Sequence, residues 1–296
     1  MNEGVKHASC LATRRGFVFG TAAAGMAAIL RGGSAAAEQP VTPGTTQPRP
    51  EVIDAHVHLK HGDAARTEYS AQVIVETMDA AGIDRSVVFA MSTTMRRSIE
   101  MAEAAVKQYP QRLIPYVYAL PHYERPVIRE IAGALQGGLF RGIKIHVGEC
   151  TLAEYVIDPV LRTAARYAVP CLIDCGGRFD AAQRMARDFP DTKLLIAHLG
   201  RYLSDDAPLV DRFIGLAQAC PNVFLDVSGV VLLDKIAEAV KRIGSMRVIW
   251  GTDGPDRKPD TATFARTELD KIRKLPLSEQ DRDNVLGGAI RALLRL

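Results

Sequence analysis

The segment Val52–Leu59 reads V-I-D-A-H-V-H-L and predicts a β-strand that carries candidate site residues. Side chains alternate along a strand, so we expect Asp54, His56 and His58 to point to one side and the apolar residues between them to the other. Two neighbouring imidazoles suit a divalent metal ion, because neutral histidine is a common ligand of such ions. A His-x-His pattern also occurs by chance, so the rest of the chain has to complete the site.

From Val52 onward, the chain repeats one pattern. An apolar β-branched segment is followed by a loop, then by an amphipathic helix, and then by a proline or glycine that ends the helix. Strands are predicted at Val52–Leu59, Arg85–Met91, Leu113–Ala119, Gly142–Val147, Cys171–Cys175, Leu194–His198, Val223–Val227 and Arg247–Gly251. Their starts recur roughly every 30 residues, the length of one βα unit, and eight such units make a (β/α)8 TIM barrel. The sequence therefore predicts an α/β fold with a single-domain barrel at residues 51–296. An open doubly wound sheet is the alternative, but no glycine-rich phosphate loop follows the first strand.

Residues 1–37 have the features of an export signal. Thr13–Val18 reads T-R-R-G-F-V and resembles the twin-arginine motif, the apolar run Phe17–Leu30 follows, and Ala35–Ala37 forms a small-residue cleavage site. The run is too short to span a membrane stably. We expect the twin-arginine export machinery to be a partner and the mature protein to be periplasmic or secreted. Residues 38–50 contain four prolines and predict an extended tether before the barrel.

The charge balance excludes nucleic acid as a partner. The formal net charge is +3, but four basic residues and one acidic residue lie in the signal, which leaves 33 of each sign beyond residue 37. No basic surface large enough to bind a phosphate backbone is therefore expected. The four cysteines beyond the signal form neither a C-x-x-C motif nor a zinc ribbon, and we expect no structural disulfide.

Polar side chains end five of the predicted strands, and in a barrel of this type the functional groups lie at the carboxyl ends of the strands. These residues are His56 and His58 on the first strand, Lys144 and His146 on the fourth, Asp174 on the fifth, His198 on the sixth and Asp253 on the eighth. An unpaired buried carboxylate would cost several kcal/mol, so the two aspartates imply a cation or histidine partner. Together these residues predict a metal or catalytic site.

Six motifs follow one another along these strands. They read I-D-A-H-V-H, F-R-G-I-K-I-H, V-P-C-L-I-D-C-G-G, F-P-D-T-K-L-L-I-A-H-L-G, P-N-V-F-L-D-V-S-G and V-I-W-G-T-D-G-P. In this order they resemble the amidohydrolase superfamily, in the amidohydrolase-related (amidohydrolase 2) branch, from Val52 to the C terminus. The resemblance implies a metal-dependent TIM-barrel hydrolase, in a branch that also contains decarboxylases and lactonases. It also implies that His56, His58 and Asp253 bind one divalent metal ion and that His198 is a ligand or an acid/base.

The fifth strand departs from the family, which usually has histidine at the position of Asp174. Three outcomes follow: Asp174 coordinates the metal directly, His146 supplies the missing nitrogen, or the site binds metal weakly or not at all. A carboxylate ligand would favour Mn²⁺ or Mg²⁺ while still permitting Zn²⁺. A register slip of one residue would instead point Cys175 inward. Lys144 is expected to be an unmodified lysine that pairs with an acid or binds a substrate carboxylate.

The resemblance implies hydrolysis of an ester, lactone or amide bond of a small molecule. A bound divalent cation lowers the pKa of its water from about 16 to near 7, Asp253 takes the proton, and His198 donates a proton or stabilises the oxyanion. The alternatives are a carboxy-lyase (decarboxylase) of the same branch and an inactive exported barrel that binds a metal or a ligand. The expected cofactor is one zinc, manganese or magnesium ion.

The substrate is expected to bear a carboxylate, because arginine is a common carboxylate ligand and several arginines lie in loops after the predicted strands. Arg178 is the preferred substrate-binding candidate since it follows Gly176 and Gly177 directly after the fifth strand, and Lys144 and His146 are the others. On this hypothesis, replacing Arg178 by alanine raises KM for an acid substrate and spares a neutral one. The sequence is also compatible with a homo-oligomer.

Overall fold

The structure is a computed structural model, and it describes residues 49–296. The predicted export signal and all but the last two residues of the predicted tether lie outside the described residues, and both remain predictions. No helix in the described part of the chain is long and apolar enough to cross a membrane.

Eight parallel strands form one sheet in which every strand pairs with its neighbour in sequence. The strands are β1 (Ile53–Lys60), β2 (Arg85–Ala90), β3 (Leu113–Tyr118), β4 (Gly142–His146), β5 (Cys171–Asp174), β6 (Leu194–Ile196), β7 (Val223–Asp226) and β8 (Val248–Ile249). The segment after β8 returns to β1, where Ala55 N donates to Trp250 O and His58 N donates to Gly254 O at 3.2 and 2.7 Å. The predicted (β/α)8 barrel is therefore confirmed. The open doubly wound sheet is wrong, because its strand order would not follow the sequence.

A helix follows each strand and covers the outside of the barrel. The eight helices are α1 (Ala71–Ala81), α2 (Met95–Gln108), α3 (Ile128–Gln136), α4 (Glu154–Tyr167), α5 (Phe179–Asp188), α6 (Ala207–Ala219), α7 (Leu233–Ile243) and α8 (Thr261–Arg273). The chain ends in α9 (Glu279–Asp283), a π-helical turn (Asn284–Gly288) and α10 (Ala289–Leu294), and short 3₁₀ turns occupy Ala197–Gly200 and Ser245–Arg247. Capping side chains explain several helix starts: Ser70 and Thr94, for example, accept a hydrogen bond from a backbone N–H of the first turn.

The core has two layers, because alternate residues of each strand face the inside and the outside of the barrel. The inner cluster contains large side chains such as Phe89, Tyr116 and Tyr118, together with Ala289 and Ile290 of α10. The outer cluster packs the other face of the strands against the helices. Apolar side chains thus fill the barrel interior except where polar groups end the strands.

Strand β1 departs from the predicted alternation. Its pairing register with β2 shifts between Asp54 and Val57. Asp54 pairs with Ser86 and Val57 pairs with Val88, so β1 has one more residue than β2 between the two pairs. This bulge reverses the side that each residue faces. Ala55 belongs to the inner cluster and Val57 to the outer one. The prediction that Asp54 shares a side with His56 and His58 is therefore wrong: the carboxylate of Asp54 lies outside the strands and accepts hydrogen bonds from Thr252 N and Oγ1 at 2.9 and 2.7 Å.

Gly142 begins β4 at a point where the ring of Tyr116 fills the barrel. A Cβ atom at position 142 would lie 2.4 Å from Cζ of Tyr116, whose side chain is fully buried. We expect Gly142→Ala to lower the free energy of unfolding by about 1–3 kcal/mol, the usual cost of overpacking a core. Urea unfolding measures it, with Gly133→Ala on exposed α3 as control, because a Cβ there meets no atom within 4 Å. Equal stability of the two variants would contradict this account.

Candidate active site

A cavity of about 360 Å³ opens at the carboxyl ends of the strands. Its inner wall contains seven of the predicted site residues, namely His56, His58, Lys144, His146, Asp174, His198 and Asp253. Its mouth is formed by loop residues, among them His61, Asp63, Glu149 and Tyr202. The strand topology therefore brings together groups that are far apart in the sequence, such as His58 and Asp253, which are separated by 195 positions.

Asp253 lies at the centre of the buried group. Its Oδ1 is 2.9 Å from Nε2 of His58 and 3.1 Å from Nε2 of His56, and its backbone N–H donates to the carbonyl of His56 at 2.9 Å. Burial opposes the ionised form, but the imidazoles of His56 and His198 hold the pKa of Asp253 well below its usual range. Asp253 is therefore an ionised carboxylate in contact with two imidazole nitrogens.

His198 approaches the same carboxylate from β6. The strand ends at Ile196, two residues earlier than predicted, because His198 and Leu199 adopt left-handed backbone conformations with φ of 59° and 49°. His198 Nδ1 lies 2.8 Å from the carbonyl of Ser228, which can only accept, so Nδ1 carries a proton and Nε2 faces the cavity. Burial lowers its pKa, but the carboxylates of Asp253 and Asp174 outweigh burial and raise the pKa of His198 to about 9.

Three residues have donor atoms that converge closely enough to hold a metal ion. One atom each from His56, His198 and Asp253 lies within 4.8 Å of the other two. Burial lowers the pKa of His56 and holds that of His58 well below its usual value, so both rings are neutral and have a lone pair for a metal. The predicted ligands were His56, His58, Asp174 and Asp253. In the structure, His198 is one of the three converging residues. His58 is not one of the three, although it contacts Asp253, and neither is Asp174.

Asp174 pairs with two histidines in the cavity. Its Oδ2 is 3.0 Å from Nε2 of His146 and 3.6 Å from Nε2 of His198. Burial opposes its ionisation, yet hydrogen bonds from these rings hold the pKa of Asp174 well below its usual range. The alternative register is wrong, because Cys175 is buried in the outer core with its thiol against the carbonyl of Gly200.

His146 has little capacity left to bind a metal. Its Nδ1 accepts a hydrogen bond from the backbone N–H of Gly148 at 3.0 Å, and its Nε2 faces Asp174. Both ring nitrogens are thus engaged. The arrangement argues against the hypothesis that His146 supplies the nitrogen missing from β5.

Lys144 is fully buried beside His56, with Nζ 2.9 Å from His56 Nε2 and over the ring of Phe89. Burial lowers its pKa, and no carboxylate among the described residues lies within ion-pair distance of its ammonium group. A lysine ammonium has only donor hydrogens, so this contact requires a lone pair on His56 Nε2. The prediction that Lys144 pairs with an acid is not what the structure shows.

Arg178 lies outside the cavity, contrary to its predicted substrate contact. Gly176 and Gly177 both have positive φ, of 55° and 80°, and turn the chain away from the mouth. The exposed Arg178 is the N-cap residue that precedes α5, and it lines a separate surface depression with Arg212. None of the described residues that line the central cavity is an arginine.

Arg178→Ala is accordingly expected to leave catalysis unchanged. Exposed substitutions away from a site usually alter free energies by less than about 0.5 kcal/mol, so KM for an acid substrate and for its neutral analogue should each change less than about twofold. Steady-state kinetics on such a matched pair measures this, with Arg212→Ala beside it as a control from the same depression. A rise in KM confined to the acid substrate would restore the original hypothesis.

Sequence reasoning missed a further buried carboxylate, Asp226. It is fully buried at the end of β7, and its Oδ2 lies 3.5 Å from Nδ1 of His56. The available signal was the segment V-F-L-D, in which a carboxylate ends an apolar strand as Asp174 ends β5. Ser228, two residues later, was missed as well, because a lone serine in a loop gives no signal of its own.

Residues 53–296 match the family model described as amidohydrolase. The chain belongs to the amidohydrolase family. This match confirms the branch that the six motifs indicated. No curated protein sequence matches this amidohydrolase.

Solved structures of enzymes share the fold of this amidohydrolase. An amidohydrolase from Burkholderia multivorans with bound zinc has a TM-score of 0.68 at 15% identity, over 83% of this chain and 99% of that chain. A 5-carboxyvanillate decarboxylase from Sphingomonas paucimobilis has a TM-score of 0.64 at 15% identity, over 84% and 100%. A dihydroxybenzoic acid decarboxylase from Polaromonas with bound manganese and the inhibitor 2-nitroresorcinol has 0.63 at 16%, over 84% and 98%. The family match and these neighbours identify the protein as an enzyme of the amidohydrolase superfamily.

Proposed function

We propose that this amidohydrolase is a metal-dependent hydrolase that cleaves an ester, lactone or amide bond of a small molecule. The observation that carries the proposal is the buried carboxylate of Asp253, with two imidazole nitrogens at 2.9 and 3.1 Å and a third imidazole among the converging donors. Neutral imidazoles grouped on one ionised carboxylate are the donor set of a divalent metal site.

The residues present fit such an ion. We propose that His56, His58 and Asp253 hold it, and a mixed nitrogen and oxygen set of this kind suits zinc or manganese. The Burkholderia and Polaromonas neighbours contain these two metals. When bound, the ion supplies an acidified water and a polarised carbonyl, the two requirements of hydrolysis near neutral pH.

The protein's own groups then move the protons. Asp253 is ionised, which is the form that a group accepting the proton of the attacking water must have. His198 has a pKa of about 9 and is protonated at neutral pH, so its Nε2 can donate a hydrogen bond to the developing oxyanion or a proton to the leaving group. The contact of His198 Nδ1 with the carbonyl of Ser228 keeps Nε2 directed at the cavity.

The charges of the cavity favour a substrate with at most one carboxylate. Asp63 and Glu149 stand at the mouth, and neither has an ion-pair partner within residues 49–296. Asp63 accepts from Thr67, and Glu149 accepts from Ser92 and Tyr118 at 2.7 and 2.6 Å. Lys144, at the bottom, is the one ammonium or guanidinium group among the residues that line the described cavity. A dicarboxylate would have to pass these two carboxylates, and Lys144 is the one lysine or arginine side chain of the described lining that could receive it.

A decarboxylase is the second candidate, because two of the structural neighbours are decarboxylases. In that reaction no water attacks: His198 would protonate the carbon that bears the carboxylate, and the carbon–carbon bond would break to release carbon dioxide. The cavity is less suited to this substrate, since its lining contains four carboxylates and no arginine. For this reason we place hydrolysis first.

The test combines metal analysis with a turnover screen. Protein from a metal-supplemented culture should contain about one equivalent of a divalent ion, and it should hydrolyse at least one member of a panel of lactones, esters and amides. Release of carbon dioxide from an aromatic acid without hydrolysis would assign the decarboxylase instead. Ligand binding without conversion, in every metal-loaded preparation, would assign a binding barrel that has lost turnover.

His198→Asn separates the two roles open to this histidine. If His198 acts only as a proton donor, the variant should keep its metal content and its kcat should fall by about 10²- to 10⁴-fold. As a ligand, its loss would release the metal as well. Metal content of the variant, measured beside its kcat, decides between these outcomes.

We also propose that the enzyme is exported by the twin-arginine route, on the basis of the T-R-R-G-F-V segment. Replacing Arg14 and Arg15 together by lysine should keep the protein in the cytoplasmic fraction with its signal uncleaved. Cell fractionation followed by intact-mass measurement checks this. Unchanged export of the double variant would rule out the twin-arginine route.

A further inference from the structure

We propose that Asp226 and Ser228 are positioning residues that hold a proton on Nδ1 of both His56 and His198, so that Nε2 of each ring faces the reaction. The inference rests on the proposed function in one respect only, namely that these two imidazoles serve the site. It adds two residues that sequence reasoning did not identify.

Asp226 binds the backbone and the hydroxyl group beneath the two rings. Its Oδ1 accepts hydrogen bonds from the N–H of His198 and the N–H of Ser228, both at 3.1 Å, and from Ser228 Oγ at 2.5 Å. Its Oδ2 has no hydrogen bond and lies 3.5 Å from His56 Nδ1. One oxygen thus shapes the turn, while the other is directed at a ring.

Ser228 contacts both rings with a single hydroxyl group. Its Oγ lies 3.1 Å from His56 Nδ1 and 3.1 Å from His198 Nδ1. The hydroxyl proton is directed to Asp226, so the lone pairs of Oγ are left to accept from the rings. The carbonyl of the same serine also accepts from His198 Nδ1 at 2.8 Å. Both rings are consequently placed with Nδ1–H against acceptors.

On the opposite side of His56, the contact with Lys144 favours the same proton arrangement. Nε2 of His56 lies 2.9 Å from Lys144 Nζ, a group that donates, and 3.1 Å from Asp253 Oδ1, a group that accepts. It can accept from Lys144 only if its own proton is on Nδ1. The two rings are stacked with centroids 5.1 Å apart, so one serine and one aspartate are able to reach both. His56 Nε2 is thereby left with a lone pair for a metal ion.

Gly251 makes room for this arrangement. A Cβ atom at position 251 would lie 2.7 Å from the Cβ of His56 and 3.2 Å from Oδ2 of Asp226. The absence of a side chain therefore permits the approach of the carboxylate to the ring. A purely structural role for Asp226 would need only Oδ1, whose three hydrogen bonds complete the turn.

The test compares three variants of the full chain in metal-free form. Asp226→Asn keeps an oxygen that can accept from the backbone but removes the charge, and Ser228→Ala removes Oγ but keeps the backbone carbonyl. Ser86→Ala is the control, because Ser86 is equally buried and its hydroxyl has no hydrogen-bond partner. The readouts are the ¹⁵N NMR signals of the histidine rings and the affinity for zinc, measured by competition with a chelator.

In the wild-type protein and in Ser86→Ala, we expect His56 to show a proton on Nδ1 alone. In Ser228→Ala and Asp226→Asn, we expect a mixture with the Nε2–H form and a zinc affinity about 10- to 100-fold lower. Unchanged ring signals together with unchanged zinc affinity in both variants would overturn the proposal. If Asp226→Asn does not fold, Ser228→Ala decides the result, and Ser228→Thr, which retains a hydroxyl, is expected to recover the Nδ1–H form.

These readouts do not depend on turnover. If no member of the substrate panel is converted, the proposed function fails while the ring signals still test the positioning role. If the panel is converted but the variants resemble the wild type in ring signals and zinc affinity, the positioning role fails alone.

Discussion

His56→Ala should lose its bound divalent ion and, with it, essentially all turnover. His56 is fully buried, its Nε2 lies 3.1 Å from Asp253, and its removal leaves the ammonium group of Lys144 without its neighbour. The cation supplies several kcal/mol of transition-state stabilisation, and every 1.4 kcal/mol is a factor of about ten in rate, so we expect kcat to fall by at least about 10³-fold.

Metal content by mass spectrometry and initial rates on the same preparation measure the effect. His122→Ala is the matched control, because His122 lies in the loop after β3 and does not line the described cavity. It should retain both metal and activity. Thermal unfolding of both variants separates metal loss from loss of fold. A His56→Ala preparation with full metal content would contradict the assignment of this ring as a ligand.

Asp253→Asn should lower kcat by about 10²- to 10⁴-fold, the range expected when a general base is removed. Asparagine has nearly the same shape, and the backbone hydrogen bond from residue 253 to His56 remains available. The amide, however, cannot accept the proton of the attacking water, and the charge that faces the imidazoles of His56 and His58 is lost. We expect metal affinity to fall together with kcat.

The control for Asp253→Asn is Asp63→Asn, a carboxylate at the mouth of the same cavity. It removes an equal charge, but its partner is Thr67 rather than a site histidine. We expect its kcat to stay within about threefold of the wild type, as for a surface substitution. A kcat for Asp253→Asn within tenfold of the wild type would show that another group takes the proton.

The repeated apolar segments were sufficient to predict the barrel, because each strand buries a β-branched face and a glycine or proline follows each of the helices α1 to α8 within three residues. The same topology brought the polar strand ends of β1, β4, β5, β6 and β8 into one cavity. Strand ends converge in any barrel of this type, so seven of the predicted residues could be placed in the site without knowledge of loop conformation.

Other features depend on local backbone geometry that alternation does not predict. The bulge in β1 moved Asp54 to the outside, and two glycines with positive φ turned Arg178 away from the mouth. The left-handed conformation of His198 ended β6 early and directed the ring at Asp253. Asp226 was missed since its role depends on contacts with residues of two other strands rather than on a motif.

The proposed metal site lies at the seam where the barrel closes. His58 and Asp253, which are 195 residues apart, meet because the segment after β8 hydrogen-bonds to β1. A growing chain that lacks its last strand therefore has no complete ligand set, and the ion can act only on a barrel that has already closed. Loop closure over such a separation is entropically costly, and an ion at 100 times its Kd would return about 2.7 kcal/mol to the closed form. On the proposed function, metal capture would thus report the completion of folding.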